Sequence, residues 1–193
     1  MRTISLLFVL ATFSAVSVSA AETTLVFEPS HTTIHWTLDS VLHTVHGTFQ
    51  LRAGTIHFDP ATGKASGQLT VAAASGESGN ESRDSKMHKS ILESARFPDI
   101  VFTPERVEGA VPAQGAGTVQ VHGAFQLHGS THAFILPVEV VVEPAQITAK
   151  SKFDIPYLSW GLKNPSTFVL RVGDKVTIDL NATGRISGNG VAK

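Results

Sequence analysis

The sequence predicts an all-β fold, an antiparallel up-and-down barrel of eight strands with one short inserted helix. Apolar and polar residues alternate along most of the chain, as they do in strands that bury one face. Short turn motifs that contain glycine and aspartate separate these runs. A closed barrel leaves no strand with an unpaired edge, and about eight strands enclose room for one small ligand.

The first 20 residues are expected to be a cleaved secretory signal. Met1–Arg2 provides a short positive start, residues 4–18 are apolar apart from small hydroxyl residues, and Val18–Ala20 supplies the small residues that signal peptidase accepts. The apolar stretch is shorter than the roughly 20 residues that span a bilayer, which favours a signal over a membrane anchor. We therefore expect residues 21–193 to form one barrel domain in the periplasm of a bacterium.

The composition excludes several classes of function. The chain has 193 residues, with 15 lysines and arginines against 16 acids, and no cysteine. No basic patch is available to neutralise phosphates, so nucleic acid is not an expected partner. Without cysteine there is no thiol nucleophile, thiolate metal site or disulfide, and an exported chain of this kind suits a bacterial periplasm.

The alternation predicts which side chains face the barrel interior. It is clearest in four stretches, residues 33–38, 45–52, 68–73 and 118–128. The predicted inward set is Ile34, Trp36, Leu38, Val45, Gly47, Phe49, Leu51, Leu69, Val71, Ala73, Val119, Val121, Gly123, Phe125 and Leu127. The intervening residues are predicted to face outward, including Gln50, His122 and Gln126.

Three segments carry the turn residues that a strand meander requires. Asp59–Gly63 and Arg171–Lys175 place glycine and aspartate between strand-like segments, and Gly129–Ser130 precedes a predicted strand over residues 131–143. All three are predicted to be hairpin turns.

Residues 79–102 break the alternation and predict the inserted helix. Asn80 or Ser82 is expected to cap its N-terminus, and Phe97–Pro98 returns the chain to an extended form. Acids precede bases along the segment, as the helix dipole favours: Glu81 and Asp84, then Lys86 and Lys89.

The composition of this helix is explained by packing rather than catalysis. Met87 and Ile91 are four residues apart and are expected to pack together on the barrel. Arg83 and Asp84 are expected to form an ion pair at the helix start, and His88 to be a solvated surface residue. An active-site role for the segment is the weaker interpretation, because no nucleophile and base occur at a recognised spacing.

The nine histidines raise the alternative of a metal-binding surface. Those on predicted strands occupy the polar phase and should face solvent rather than the lumen: His35, His46, His57, His122 and His128. His43 with His46, or His31 with His35, could bind zinc or copper on the outer surface. We predict no metal in the channel and no cofactor.

A periplasmic hydrolase is the rival class of function. Ser30 and His31 with Asp39, or Asp84 with His88, would supply acid–base residue types near the barrel mouth. The chain has no Gly-x-Ser-x-Gly elbow, no His-Glu-x-x-His helix and no phosphate-binding glycine loop. The sequence therefore favours a binding protein over an enzyme.

Aromatic residues on the apolar phase are compatible with a ligand channel and equally with a packed core. Nine of the 11 phenylalanines follow the predicted signal. Five of them fall on the apolar phase of their strands: Phe49, Phe58, Phe102, Phe125 and Phe134.

Six motifs in a characteristic order favour a ligand channel over a packed core. They are PSHTTIHW (29–36), VHGTF (45–49), GTIHFD (54–59), RDSKM (83–87), FPDIVF (97–102) and GAFQLHG (123–129). In this order they resemble successive signatures of the YceI-like family of secreted bacterial proteins, over essentially the whole of residues 21–193. Thr32 departs from the serine that many members carry but keeps the hydroxyl, and residues 155–166 resemble only one subgroup.

The resemblance implies a lipocalin-like barrel whose long apolar channel binds an isoprenoid chain, either an isoprenoid quinone or a prenyl pyrophosphate. The residues expected to bind this ligand are Trp36, Phe49, Phe58, Met87, Phe102, Phe125, Phe134, Phe153 and Trp160. Such a protein would act as a carrier or store and contact the inner membrane, or a membrane protein, transiently. Relatives also suggest a homodimer.

Overall fold

A computed structural model of the chain describes residues 22–41, 43–166 and 171–187. The predicted signal lies outside the described residues. Eight strands are described: β1 (Thr23–Leu38), β2 (Val45–Phe58), β3 (Ala65–Glu77), β4 (Asp99–Glu108), β5 (Gly115–Leu127), β6 (Ser130–Val142), β7 (Gln146–Ile155) and β8 (Val176–Ser187). Helix α1 (Glu81–Lys86) runs directly into a π-helical turn, Met87–Ile91, between β3 and β4. No helix of the described residues is long and apolar enough to cross a membrane.

The strands form the predicted closed antiparallel barrel. Each strand pairs with the next along the chain, and β8 pairs with β1 to close the sheet. The closing seam is long, since it runs from the pair Thr24 and Ser187 to the pair Thr37 and Thr177. Every strand of the barrel therefore has two hydrogen-bonded neighbours, which removes the exposed edges of an open sheet.

The two ends of the barrel differ in the length of their connections. Because strand direction alternates, one end carries the described residues 39–41, 43–44, 78–98, 128–129, 156–166 and 171–175. We call this the upper end. The lower end carries only the shorter connections 59–64, 109–114 and 143–145.

Two of the three predicted hairpin turns are confirmed. Gly63 and Gly129 take φ angles of 72° and 78°, which glycine adopts without strain, in the turns after β2 and β5. The third prediction is wrong. β7 ends at Ile155 and β8 begins at Val176, so Arg171–Lys175 is the last part of a long connection rather than a hairpin turn.

The predicted inward phase is confirmed in all four stretches. Trp36, Leu51, Val119 and Leu127 are buried in the barrel interior, whereas Gln126 is exposed. His122 also faces outward, where its side chain is 25% exposed and contacts Glu108. The alternation was therefore a reliable guide to side-chain direction within each uninterrupted run.

β-bulges change this phase part-way along three strands. Register shifts separate Phe27 from Ile34 in β1 and Leu51 from Ala53 in β2. The inward residues of β1 consequently change from odd to even numbers, since Phe27 and Ile34 are both buried. In β3, buried Ala73 and Gly76 lie on opposite sides of a similar shift. Bulges of this kind are frequent in barrels because they bend the strand.

The start of helix α1 differs from the prediction in one contact. Asn80 caps it as expected, because its side-chain oxygen accepts a hydrogen bond of 3.0 Å from the backbone N–H of Arg83. Arg83 and Asp84 do not form the expected direct pair: both side chains bind Ser78, and Arg83 Nε donates to its Oγ at 2.7 Å. Burial opposes ionisation of Asp84, but its hydrogen bonds from Ser78 outweigh this effect and lower its pKa.

The prediction that His88 is a solvated surface residue is wrong. Its ring is half-buried, with Nε2 2.8 Å from the carbonyl oxygen of Gly76 and Nδ1 3.2 Å from Ser94 Oγ. Since a carbonyl only accepts, Nε2 donates the hydrogen bond to Gly76, and Nδ1 is paired with the Ser94 hydroxyl. His88 thus ties the π-helical turn to strand β3.

Candidate ligand-binding site

The barrel interior contains two cavities lined almost entirely by apolar side chains. The upper cavity, of about 470 Å³, lies beneath α1 and the β7–β8 connection. The lower cavity, of about 680 Å³, extends to the turns at the opposite end. Each falls within the usual size range of a small-molecule site, so the lumen has room for a ligand and is not a filled core.

Six of the nine predicted ligand-binding residues line the upper cavity. They come from strands and from the π-helical turn: Trp36, Phe49, Met87, Phe102, Phe125 and Phe153. Ile91 also lines this cavity, which confirms that Met87 and Ile91 share a face that packs against the barrel. The structure therefore collects these residues around one space, while their contact with a ligand stays a prediction.

The remaining three predicted residues lie elsewhere. Phe58 lines the lower cavity, together with Phe27. Phe134 and Trp160 lie outside the walls of both cavities and pack behind Phe125, with ring centroids 5.7 and 5.5 Å from it. Trp160 also stacks on His132 at 4.1 Å. These two residues support the cavity wall rather than form it.

A polar rim at the upper end was not anticipated from the sequence. Its members come from the β1–β2 connection and from the start of the helix: Ser40, His43, Asn80, Ser82, Arg83 and Lys86. No carboxylate lines the upper cavity among the described residues. Arg83 and Lys86 are three residues apart on a helix, and this spacing was the available signal that they share a face.

Of the β7–β8 connection, only Trp160 was predicted to belong to the site. Tyr157, Leu162 and Pro165 all line the upper cavity, and Lys86 Nζ donates to the carbonyl oxygen of Pro165 at 2.9 Å. This segment and residues 78–98 together form a cover over the upper end of the barrel. The segment had no clear periodicity, so the sequence offered no signal for its position.

Two further contacts secure the cover, and each involves a residue whose pKa is shifted. Tyr157 donates its hydroxyl to the carbonyl oxygen of Gly173 at 2.7 Å, and burial raises its pKa to about 12. His128 Nε2 donates to Glu93 at 2.7 Å and joins the cover to the β5–β6 turn. The hydrogen bond from His128 lowers the pKa of the Glu93 carboxyl, and the charge of Lys163 adds to this effect.

The residues considered for catalysis have other partners in the structure. His31 lies 3.7 Å from Glu28, whereas Asp39 accepts a hydrogen bond from Thr44 at 2.9 Å. Asp84 and His88 bind Ser78 and Gly76 respectively, as described above. These polar groups therefore serve local hydrogen bonds in the described part of the chain.

The histidines considered for metal binding also have local contacts. His46 Nδ1 lies 3.1 Å from Thr37 Oγ1 on the outer surface. Within residues 22–41, 43–166 and 171–187, no three His, Asp or Glu side chains are grouped as a metal site requires.

The sequence profile of the YceI-like domain matches residues 25–184. This range includes all of β2 to β7, and it omits only the first residues of β1 and the last residues of β8. The chain belongs to the YceI-like family. No curated protein sequence matches this YceI-like chain significantly.

Solved structures share the same barrel at low sequence identity. BcnA of Burkholderia cenocepacia is 17% identical with a TM-score of 0.66, and the match covers 81% of this chain and 98% of BcnA. A polyisoprenoid binding domain from Saccharophagus degradans is 14% identical with a TM-score of 0.62, covering 84% and 98% of the two chains. The YCEI protein of Campylobacter jejuni is 14% identical with a TM-score of 0.56, covering 96% and 98%. These likenesses show that the YceI-like chain has the barrel fold of these proteins.

Proposed function

We propose that the protein is a secreted bacterial lipid-binding protein that holds a long isoprenoid chain in its barrel lumen, as a carrier or store. The observation that carries this proposal is the pair of apolar cavities, which together extend through the barrel from the cover to the lower turns. Burial of an apolar chain gains about 0.8 kcal/mol per methylene, so a long prenyl tail needs few polar contacts to bind tightly.

The rim of the upper cavity supports a ligand whose polar end accepts hydrogen bonds. Arg83 and Lys86 are donors only, and the Oδ1 of Asn80 is already used in the helix cap. A quinone carbonyl or a pyrophosphate has the acceptors that such a rim would bind, whereas a cationic headgroup would meet two positive charges. The headgroup would then lie under the cover, with the tail directed towards the lower cavity.

The family relationship agrees with this ligand class. The structure from Saccharophagus degradans is described as a polyisoprenoid binding domain, and its barrel superposes on most of this chain. In the two chains the same fold would enclose a lumen of the same kind. We extend the isoprenoid ligand to this protein on that basis and on its own apolar lumen.

The proposed compartment is the bacterial periplasm, where the protein would contact the inner membrane or a membrane protein transiently as it loads or delivers its lipid. The signal-like features of residues 1–20 support this location. N-terminal sequencing of protein isolated from a periplasmic fraction should begin at residue 21 or 22. Retention of Met1 on that protein would contradict the proposed export.

Lipid analysis of the purified protein tests the ligand directly. Protein purified from the periplasm without detergent should release a prenyl compound into organic solvent, at up to about one molecule per barrel. Mass spectrometry would identify the compound, and protein stripped of lipid should bind it again in unchanged form. Release of fatty acids or phospholipids alone would overturn the isoprenoid assignment, and conversion of the added lipid to a product would favour the rival hydrolase.

A further inference from the structure

Five side chains belong to the walls of both cavities and mark the boundary between them. They come from five strands: Leu51, Leu69, Phe102, Leu136 and Leu180. We call this set the waist. Every other described residue that lines the lumen faces only one of the two cavities.

The waist surrounds the lumen. Leu51, Leu69 and Phe102 lie on the adjacent strands β2, β3 and β4, and Leu69 and Phe102 are direct cross-strand partners. Leu136 lies on β6, four strands from β2 around the eight-stranded barrel, and Leu180 lies on β8, four strands from β4. A chain that extends from one cavity into the other must therefore pass between these two sides.

Two glycines make room for the waist side chains against the barrel wall. A Cβ at Gly54 would lie 2.7 Å from Leu69 Cδ2. A Cβ at Gly123 would clash with the carbonyl oxygen of Thr103 and lie 3.0 Å from Phe102 Cζ, so Gly123 also permits the close approach of strand β4. Neither glycine has a positive φ, so the backbone conformation does not require glycine at these positions. Their missing side chains instead let Leu69 and Phe102 lie back against the wall, which sets the width of the passage.

Phe102 is the largest member of the waist. Its side chain is 7% exposed, and its ring centroid is 6.3 Å from that of Phe125 in the upper cavity. The cations Arg83 and Lys86 line only the upper cavity, whereas the polar residues of the lower cavity include the carboxylate of Glu143 and no cation. A ligand whose polar end accepts hydrogen bonds would therefore direct its tail from the upper rim towards Phe102. How far the tail can continue then depends on the passage beside this ring.

We infer that the waist, and Phe102 in particular, determines the chain length of the ligand. A short prenyl chain is held within the upper cavity, whereas a long chain passes the waist and places its end in the lower cavity. This inference rests on the proposed function, since it assigns separate roles to two parts of the lumen that binds the lipid. It makes Phe102 and Leu180 specificity-determining residues, one on each side of the passage.

Competition between chain lengths tests this inference. Lipid-stripped protein would be equilibrated with equimolar farnesol, a short prenyl alcohol, and solanesol, a long one, and the bound lipids measured by mass spectrometry. Leu180→Phe narrows the passage and should lower the solanesol-to-farnesol ratio by about tenfold, since added groups in an apolar site discriminate to this degree. Phe102→Leu widens it and should raise the ratio.

Phe27→Leu is the matched control. Phe27 has the same 7% exposure as Phe102 but lines only the lower cavity, so the same substitution there leaves the waist unchanged. Circular dichroism would establish that all three variants are folded. An unchanged ratio in both folded waist variants, or an equal change in Phe27→Leu, would overturn the inference.

A second series separates this inference from the proposed function. Short and long unbranched alcohols, decanol and hexacosanol, would be tested in the same way, because the waist acts on any apolar chain. Binding of these alcohols with the expected length dependence, but not of the prenyl alcohols, would support the waist and overturn the isoprenoid function. Failure of the wild-type protein to bind the long member of both series would show that no chain passes the waist and would overturn the inference.

Discussion

Glu93 and His128 have the two positive φ angles found outside glycine in the described residues, and their side chains hydrogen-bond to each other at 2.7 Å. Glu93 follows the end of the π-helical turn, and His128 is the first residue of the β5–β6 turn. Glycine or asparagine is usual at such positions, because a side chain there strains the backbone. The hydrogen bond between the cover and the barrel is thus made by two residues, Glu93 and His128, whose backbone conformation favours glycine or asparagine instead.

The Glu93–His128 contact should make the protein more sensitive to acid. The folded pKa of Glu93 is lowered, so its contribution to stability is complete above the carboxyl's ordinary pKa of about 4.3 and is lost as pH falls through the folded value. Arg96 and Lys163 also lower the pKa of Glu93 in the wild-type protein. Because glutamine does not ionise, Glu93→Gln should show a smaller fall in melting temperature than wild type between about pH 5 and pH 3.

An exposed carboxylate serves as the control for this measurement. Glu105 is exposed on β4, and none of the hydrogen bonds among the described residues involves its side chain. Glu105→Gln should leave the acid dependence of the melting temperature close to that of wild type. An identical acid dependence in wild type and Glu93→Gln would contradict a stabilising role for the pair.

The backbone and side-chain roles of His128 can be separated by substitution. Asparagine tolerates a positive φ, so His128→Asn preserves the turn while removing the hydrogen bond to Glu93. We expect intact barrel structure by circular dichroism and faster amide hydrogen exchange in residues 87–98, because the cover loses one of its attachments. Unchanged exchange there would show that the contact does not hold the cover.

His88→Ala should lower the free energy of unfolding, whereas replacement of a solvated histidine would leave it nearly unchanged. The change leaves the carbonyl of buried Gly76 without its partner and removes the hydrogen-bond partner of the Ser94 hydroxyl. We expect a loss of about 1–2 kcal/mol in the free energy of unfolding, measured by urea denaturation. His35→Ala, at an exposed site on β1, should change it by less than about 0.5 kcal/mol. Equal effects of the two substitutions would contradict this role for His88.

Tyr157 gives a direct spectroscopic test of the cover. It is the one tyrosine in the sequence, so its ionisation can be followed by ultraviolet absorbance without interference from others. The folded protein should titrate near pH 12, against about 10 for an unfolded chain. Because the folded pKa is raised, the associated stability is present below about pH 10 and is lost as pH rises towards 12. Titration near pH 10 in folded protein would show that Tyr157 is not buried by the cover.

Substitutions on the two faces of the barrel wall should affect lipid retention differently. Phe125→Trp fills part of the upper cavity and Phe49→Asn makes its wall polar, so both should retain less prenyl lipid per folded protein. Gln126→Trp changes the exposed face one residue away and should retain as much lipid as wild type. Equal retention in all three folded variants, measured by mass spectrometry, would mean that the upper cavity does not hold the lipid.

The barrel and much of its inner wall could be predicted from the sequence. Alternation of apolar and polar residues is a local property of an extended chain, so Trp36, Phe49 and Phe125 could be placed on the inner face without a structure. The turn glycines Gly63 and Gly129 and the cap Asn80 were equally readable, because each depends on a few consecutive residues. The ordered motifs added the family, which the match over residues 25–184 confirmed.

The tertiary structure decided how these local elements combine. Bulges reverse the phase within β1 and β2, because they depend on the pairing of two strands and not on one sequence. His88 and Glu93 form hydrogen bonds with residues that are 12 and 35 positions away in the sequence, and the spacing of nearby residues does not predict such contacts. The waist likewise exists only when Leu51, Phe102 and Leu180 from separate strands face one space. Closure of the barrel creates that space, so no stretch of sequence contains it.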